Sequence, residues 1–246
     1  MNSGMYSALA GDINMLDKLN VVANNLANIN TVGFKKDRMS FEKVLDNAGN
    51  PAGGSGVLTD DAIIAKENVY TDYTTGPIKH TGNVFHMALD GDGFFAVTTP
   101  QGTAYTRQGN FQRDKNGRLT TIDGYVVQGK GGGPISIPGG KMDVDKAGNV
   151  FVDGTSVGSI NIVDFQKPYQ LQKAGNALFL PSNPQDAPQP AQKASVLQGY
   201  IEDSNVSAIV EMTQIIDCNR GFESCQRVIK SYDEMAGKAI GLGAPA

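Results

Sequence analysis

The fold is decided by the stretch Ile215-Ile216-Asp217-Cys218-Asn219-Arg220-Gly221-Phe222-Glu223-Ser224-Cys225 near the end of the chain. Its apolar residues recur at alternating spacings of three and four, and the rhythm continues without a break through Ile215, Cys218, Phe222, Cys225, Ile229, Tyr232, Ala236 and Ala239. Residues three and four apart lie on one face of a helix, so the pattern predicts a helix over roughly residues 205–240, capped by Ser204 or Asn205. A seam this narrow is typical of a coiled coil.

The same rhythm occurs at the beginning of the chain, where it is interrupted only at Asp12. It runs through Met5, Leu9, Leu16, Leu19, Ala23 and Leu26. This predicts a first helix over about residues 3–28 with Ser3 as its cap. Asn and Gly in the segment 28–33 tolerate the left-handed conformation that ends helices, and residues 35–46 are expected to form a shorter helix. Two seams at opposite ends predict that the terminal helices meet and that the protein works by assembling.

The middle of the chain has the rhythm of short strands bounded by turn residues. Strands are predicted at residues 94–97, 104–106, 124–127, 135–137, 150–152, 160–163 and 196–201. Hairpin turns are predicted at residues 114–117 and at Asp123-Gly124. The expected fold class is therefore α+β, with the N- and C-terminal helices pairing as a coiled-coil-like core around a central all-β domain that resembles a sandwich or open barrel.

The same patterns divide the chain into four parts. We expect an N-terminal helical segment at residues 1–40, an extended linker at 41–80, the β domain at 81–202 and a C-terminal helical segment at 203–246. An apolar fraction of 40% and a charged fraction of 19% over 246 residues are typical of a globular protein.

The composition and charge of the chain also limit the classes of partner and the cellular location that we expect. The net charge of −4 argues against nucleic acid, since phosphate binding needs a concentrated basic surface. No apolar run reaches the length of a membrane span. A cleavable secretory signal is not expected, because Asp12 interrupts the first apolar stretch and Lys18 is the first basic residue.

Two motifs approach a known chemistry, but each lacks a required ligand residue. Residues 124–130 nearly form a phosphate-binding loop, but Gly131 stands where Ser or Thr would bind magnesium. Asp143 and Asp145 begin a calcium-like loop that has Gly154 at the position of its acidic ligand, so a turn between strands is favoured. We therefore predict no catalytic residue, no cofactor site and no metal site.

The two cysteines, Cys218 and Cys225, lie seven residues apart on the predicted C-terminal helix. That spacing separates them by about 10 Å along the axis, which is too far for a disulfide within the helix. We interpret both as small apolar residues of the seam.

An energy comparison indicates why the ends would need partners. Burying about five large seam residues of the first helix stabilises it by on the order of 10 kcal/mol. Ordering about 25 backbone residues costs about 1–2 kcal/mol each, partly offset by helical hydrogen bonds. The seam alone does not hold the helix, so the ends are predicted to be mobile in the isolated monomer and to order on polymerisation.

Three blocks of the sequence resemble one known family, the bacterial flagellar rod and hook proteins. The first is Ala23-Asn24-Asn25-Leu26-Ala27-Asn28-Ile29-Asn30-Thr31-Val32-Gly33-Phe34-Lys35. The second comprises Gly91-Asp92-Gly93-Phe94-Phe95-Ala96-Val97, Tyr105-Thr106-Arg107-Gln108-Gly109-Asn110-Phe111, Asp114 and Gly117-Arg118-Leu119. The third is Gln198-Gly199-Tyr200-Ile201-Glu202-Asp203-Ser204-Asn205-Val206. By length and by its C-terminal helix, the chain is most similar to the proximal rod members.

The resemblance implies a structural subunit of the periplasm-spanning basal-body rod, with terminal helices lining a tube and the β domain outside. It implies type III export without a cleaved signal. Its partners would be further copies, adjacent proximal and distal rod proteins, and the export apparatus. Asn24, Asn25, Leu26, Ala27, Asn28, Gly33 and Phe34 would carry the N-terminal motif. The alternatives are a distal rod or hook subunit, or a ligand-binding or enzymatic β domain with oligomerising helices.

Overall fold

The computed structural model describes residues 2–43, 65–183, 186–191 and 193–243. The chain forms two compact units. The helical unit comprises Met1–Ala27, Asp37–Asp72 and Ser207–Ala246, and the β unit comprises Asn28–Lys36 and Tyr73–Val206. The chain thus enters the β unit briefly after the first helix, returns to the helical unit, and enters the β unit a second time.

The helical unit is built on α1 (Asn2–Ala27) and α2 (Ala208–Gly243), which confirms the two predicted terminal helices and the α+β class. The helices pack antiparallel, because Asn25 at the end of α1 contacts Glu211 at the start of α2, and Asp12 contacts Gln226 further along. The two helices approach closely at Gly11, where a Cβ would lie 3.1 Å from the Sγ of Cys225.

A two-stranded ribbon of β1 (Asp37–Lys43) and β2 (Ala65–Thr71) completes the described part of the helical unit. The strands are antiparallel, with Asp37 opposite Thr71 and Lys43 opposite Ala65. The prediction of a helix over residues 35–46 is therefore wrong for residues 35–43, and residues 44–46 lie outside the described ones. Pairing with a strand distant in sequence overrides the local helical pattern.

The helix cap also differs from the prediction. Helix α2 begins at Ala208, and the carbonyl of Ser207 accepts the first hydrogen bond, from the Glu211 amide. Ser204 and Asn205 lie upstream of the cap: the Ser204 hydroxyl accepts from the Val206 amide, and Asn205 binds the backbone of Lys36.

The β unit contains the remaining strands. They are β3 (Ile78–His80), β4 (Met87–Asp90), β5 (Phe94–Thr99), β6 (Gly102–Thr106), β7 (Gln112–Arg113), β8 (Leu119–Thr120), β9 (Val126–Val127), β10 (Met142–Val144), β11 (Asn149–Val152), β12 (Thr155–Ser159), β13 (Ile162–Asp164), β14 (Leu171–Lys173), β15 (Leu178–Pro181), β16 (Gln189–Pro190), β17 (Ser195–Gln198) and β18 (Tyr200–Glu202). In the largest sheet of the described residues the order is β14-β15-β6-β5-β9-β8-β7, and β13 pairs with β5 and β16. Smaller sheets join β10-β11-β12, β17-β4 and β18-β3.

Strand β5 is buried on both faces, which explains its continuous apolar run. Phe95 and Val97 pack into the main core, while Phe94 and Ala96 face a second, aromatic cluster. Side chains alternate across a strand, so a strand with a core on each side needs apolar residues throughout. In the second cluster the rings of Phe94 and Phe179 meet edge to face, with centroids 5.6 Å apart.

The predicted turns are confirmed. The Asp114 carboxylate accepts hydrogen bonds from the amides of Asn116 and Arg118 between β7 and β8, and Gly124 has φ +87° between β8 and β9. The calcium-like stretch is the turn between β10 and β11, where Asp145 accepts from the Ala147 and Asn149 amides.

The strands predicted at 94–97, 104–106 and 150–152 are confirmed, whereas those predicted at 124–127 and 160–163 are strand only at Val126–Val127 and from Ile162 on. Two other predictions differ more. Residues 135–137 form only an isolated bridge through Ser136 to Arg118. The predicted strand at 196–201 is divided into β17 and β18 by Gly199, whose φ of +82° breaks the extended backbone.

Candidate assembly site

Helix α1 has an inner and an outer face. The residues buried within the helical unit are Ala8, Asp12, Val22 and Asn25. The outer face carries an apolar stripe of Leu9, Ile13 and Leu16, each about half exposed at 47%, 51% and 47%. These three residues are four and three positions apart and so lie on one side of the helix. We call them the outer stripe of α1.

The sequence-predicted seam residues divide between these faces. On α1, Leu19 and Leu26 are half-buried, whereas Leu9, Leu16 and Ala23 are exposed. On α2, Ile215, Phe222, Ile229 and Tyr232 are half-buried and Cys218 is buried. The side chains of Met5 and Ala236 lie outside the described residues.

Helix α2 also has an apolar outer stripe. Ile209, Met212 and Ile216 are 79%, 53% and 52% exposed, and their spacing of three and four places them together on the face opposite Glu211 and Cys218. We call them the outer stripe of α2. Exposed apolar side chains grouped in this way mark an interaction surface more often than singly scattered ones do.

Two buried polar side chains of α1 were not identified by the apolar pattern. The Nε2 of Gln226 donates to the Asp12 Oδ2 at 2.6 Å, while the other oxygen of this buried carboxylate has no hydrogen-bond partner. The amide of Asn25 brackets the start of β1: it donates to the Asp37 carbonyl at 2.8 Å and accepts from the Asp37 amide at 2.9 Å. Asn25 of the motif thus provides hydrogen-bond partners for the backbone amide and carbonyl of Asp37 at the start of β1. Its position in the sequence does not reveal this role.

The later part of the N-terminal motif lies in the β unit. Gly33 has φ +68°, and a Cβ there would lie 2.4 Å from the Arg107 carbonyl carbon, so only glycine fits. The Nζ of Lys173 lies 4.4 Å from the centre of the Phe34 ring and donates to the Lys35 carbonyl at 2.6 Å.

Lys35 is fully buried in a charged socket of the β unit. Its Nζ lies 2.5 Å from the Glu202 Oε1 and 2.7 Å from the Thr74 carbonyl. Arg107, itself 3% exposed at its side chain, reaches the Glu202 Oε2 at 3.3 Å. We call Lys35, Glu202 and Arg107 the Lys35 socket; a charge buried this deeply is retained in proteins only when paired and hydrogen-bonded.

The histidines and cysteines show no shared site. Burial lowers the pKa of His86, whose Nδ1 lies 2.9 Å from the Thr81 hydroxyl. Burial also raises the pKa of the Cys218 thiol. Both cysteines are free thiols.

A cavity of about 300 Å³ lies in the β unit, lined by Asp92, Asp164, Phe165, Gln189, Pro190 and Lys193. Asp164 accepts from the Tyr169 hydroxyl, and burial followed by this bond raises the tyrosine pKa far above its usual range. Among the described residues, no group of three potential metal ligands occurs. Neither described helix is long and apolar enough to cross a bilayer.

Comparison with known proteins identifies the class to which these features belong. Residues 5–35 match the model of the flagella basal body rod protein, residues 88–152 that of the flagellar hook protein FlgE/F/G D1 domain, and residues 197–242 that of the flagellar basal body rod FlgEFG protein C-terminal. Together the three matches cover both helices and the front half of the β unit, in the order of the three sequence blocks.

Relatives similar along nearly the whole chain agree. The flagellar basal-body rod protein FlgG of Bacillus subtilis (strain 168) is 34% identical over 98% of this chain and 99% of its own length. The flagellar basal-body rod protein FlgF of Rhizobium meliloti (strain 1021) is 31% identical over 98% of this chain and 97% of its own, and FlgF of Mesorhizobium japonicum is 29% identical over the same shares.

The fold and the comparisons therefore define the class of protein: a structural subunit whose two terminal helices pack as a pair. The chain belongs to the flagellar basal-body rod protein family. It is a structural protein of the flagellar basal body, not an enzyme, and it assembles with other rod subunits.

Proposed function

We propose that the chain is a proximal rod subunit that assembles through the outer stripes of α1 and α2, with the seams of the two helices packing in the manner of a coiled coil. The exposed stripe Leu9, Ile13 and Leu16 carries this proposal. Complete burial of a large apolar side chain stabilises by about 1.5–3 kcal/mol, and a half-exposed one has roughly half of that to gain from a neighbour.

The sequence resemblance supports the finer assignment to the proximal rod through chain length and the C-terminal helix. The relatives include proteins named FlgG and FlgF at similar identity, so a distal rod or hook position is the alternative. Locating this subunit in an electron-microscopy map of native basal bodies distinguishes these positions.

The proposal extends to how the subunit reaches its place. The resemblance supports type III export without a cleaved signal, into a rod that spans the periplasm, with copies of itself and adjacent rod proteins as partners. The net charge of −4 supports the absence of nucleic acid among them. We retain the proposed division into N-terminal helical, linker, β and C-terminal helical parts as a description of the assembled subunit.

Placing a charge in the outer stripe tests the assembly surface. Leu16→Asp, expressed at native levels, is expected to fold as a monomer but to abolish rod incorporation and swimming, because an ionised carboxylate would be desolvated against the neighbouring subunit. Ala10→Asp is the matched control: it introduces the same charge at an exposed position of α1 outside the stripe. Normal swimming with Leu16→Asp, or equal loss with both variants, overturns the proposed surface.

A further inference from the structure

Two short connections lead from the β unit to the terminal helices. The first connection, residues 28–36, follows α1, and the second connection, residues 203–206, precedes α2. Both belong to the β unit. We propose that the Lys35 socket is a clamp that holds these two connections together, so that opening of either connection also loosens the other.

Hydrogen bonds already join the first connection to the end of β18 and to the second connection. The Gly33 amide donates to the Glu202 carbonyl at 2.7 Å, and the Lys36 amide donates to the Asn205 Oδ1 at 2.7 Å. In the opposite direction, the Asn205 amide donates to the Phe34 carbonyl at 3.4 Å. Each of these hydrogen bonds is individually modest, and Lys35 of the socket lies between Gly33 and Lys36 in the sequence.

The Glu202 carboxylate is the centre of the clamp. Its Oε1 accepts from the Lys35 ammonium and from the Gly76 amide at 2.9 Å, and its Oε2 faces Arg107. Lys35 comes from the first connection, while Glu202 ends β18 immediately before the second. Arg107 is fixed independently by the Leu89 and Gly91 carbonyls. The carboxylate therefore ties the first connection to the end of β18 through an anchored third residue.

The charges make the clamp asymmetric. Two cations and one carboxylate are buried together, so loss of the Glu202 charge removes the carboxylate that both cations share, whereas loss of the Lys35 charge leaves the Arg107–Glu202 pair intact. Removing one partner of a buried pair is strongly destabilising because the remaining charge is uncompensated. Lys35 can thus be neutralised without destroying the rest of the socket.

Amide hydrogen exchange of the full-length monomer tests the clamp. Lys35→Met keeps the apolar stem and removes the ammonium. It is expected to speed exchange about tenfold or more at the amides of Gly33, Lys36 and Asn205, in both connections, because a charge-assisted hydrogen bond is lost. The core amides of Ala96 and Gln128, bonded to Asn161 and Ala96, are expected to keep their rates.

Lys167→Met is the matched control. It removes the same ammonium from an ion pair with Asp92 whose side chains are about half exposed, and it is expected to change none of these amides. Glu202→Gln is expected to speed amide exchange in both connections more than Lys35→Met does. If Glu202→Gln unfolds the β unit, its core amides also exchange faster, and Lys35→Met alone then tests the clamp.

The outcomes separate cleanly. With Lys35→Met, faster exchange confined to the first connection shows that the connections are held independently and overturns the clamp, as does unchanged exchange at both. Faster exchange of the Ala96 and Gln128 amides also overturns it, since Lys35 would then be an ordinary part of the core. The measurement uses the monomer, so a negative result leaves the proposed rod assembly untouched.

Discussion

Asp12 of α1 and Gln226 of α2 form a polar contact in the middle of the paired terminal helices, with 2.6 Å between the Asp12 Oδ2 and the Gln226 Nε2. The aspartate is buried, Gln226 is exposed, and the second carboxylate oxygen has no hydrogen-bond partner. A buried polar residue in a helix seam commonly fixes register at a cost in stability. We infer that Asp12 has this role in the antiparallel pair.

Asp12→Leu is therefore expected to stabilise the helical unit, by about 1–3 kcal/mol, because a desolvated carboxylate oxygen is replaced by an apolar group. Gln226 can turn to water, so no partner is left buried. The free energy of unfolding from urea titration followed by helical circular dichroism measures the change. Asp17→Leu, at an exposed position on α1, is the control and is expected to stay within about 0.5 kcal/mol. A loss of stability with Asp12→Leu would contradict the assignment.

A second prediction concerns Gly109 in the central sequence block. A Cβ at this position would lie 1.5 Å from the Met87 carbonyl oxygen, and the Gly109 carbonyl accepts from the Met87 amide at 2.9 Å. Gly109→Ala must push two hydrogen-bonded backbones apart. We expect a destabilisation of the β unit by about 3 kcal/mol or more, measured by urea unfolding.

Gly131→Ala provides the comparison, because a Cβ there meets nothing within 4 Å. This variant is expected to change the free energy of unfolding by less than about 1 kcal/mol, with a gain favoured through the unfolded state. Equal effects at the two positions would show that backbone freedom, and not the close approach at Met87, determines the cost.

The sequence predicts those parts of this structure that depend on residues close together in the chain, and it does not predict contacts between residues far apart in the chain. Both terminal helices and the strands β5, β6 and β11 are predicted correctly, because apolar periodicity and turn residues are local signals. Many of the shorter strands, among them β7, β8 and β16, are not predicted. The pairing of β1 with β2 is not, since it joins residues up to 34 positions apart and competes with a local helical pattern. The apolar pattern also does not reveal that buried polar Asp12 and Asn25 face the interior of the helical unit.

The Lys35 socket illustrates the same limit more strongly. Lys35 and Glu202 are 167 residues apart, and neither position belongs to a spacing that indicates an ion pair. In the sequence, Lys35 belongs to the small basic group of Lys35, Lys36 and Arg38, and such a group predicts side chains exposed to solvent. Only the resemblance of residues 23–35 and 198–206 to known family blocks directs attention to both partners.

A third prediction concerns pH. A hydrogen bond from the Asn149 side chain, followed by bonds from backbone amides, holds the pKa of Asp145 below its usual value. A carboxyl group whose pKa is depressed in the folded state contributes stability above the unfolded pKa, and this contribution is lost as the pH falls through the folded pKa. Asp145 is therefore expected to favour folding at neutral pH and to lose that effect below about pH 4.

Asn149→Ala is expected to raise the Asp145 pKa toward its ordinary value, as measured by the carboxyl carbon shift in an NMR titration. Asp114, whose pKa is lowered mainly by a backbone hydrogen bond from Arg118, lies in a different turn and is the internal reference. Its titration is expected to be unchanged. An Asp145 titration unaffected by Asn149→Ala would show that backbone amides alone stabilise the carboxylate.

The last prediction concerns the helix pair before and after assembly. The outer stripes leave Leu9, Leu16 and Ile216 about half exposed, so in a monomer the pair lacks part of the apolar burial that offsets its ordering cost. We expect amides of α1 between residues 9 and 26 to exchange rapidly in the monomer and to become protected on polymerisation. The β5 and β6 amides of the β unit are expected to be protected in both states.

The comparison is made by exchange and mass spectrometry on one sample before and after it is incorporated into rods. Protection of α1 that rises while β5 stays constant means that the neighbours supply the missing burial, since assembly can stabilise the helices only through contacts absent from the monomer. Strong protection of α1 already in the monomer would mean that contacts with α2 and β1 suffice. The outer stripes would then contribute to partner choice and not to helix formation.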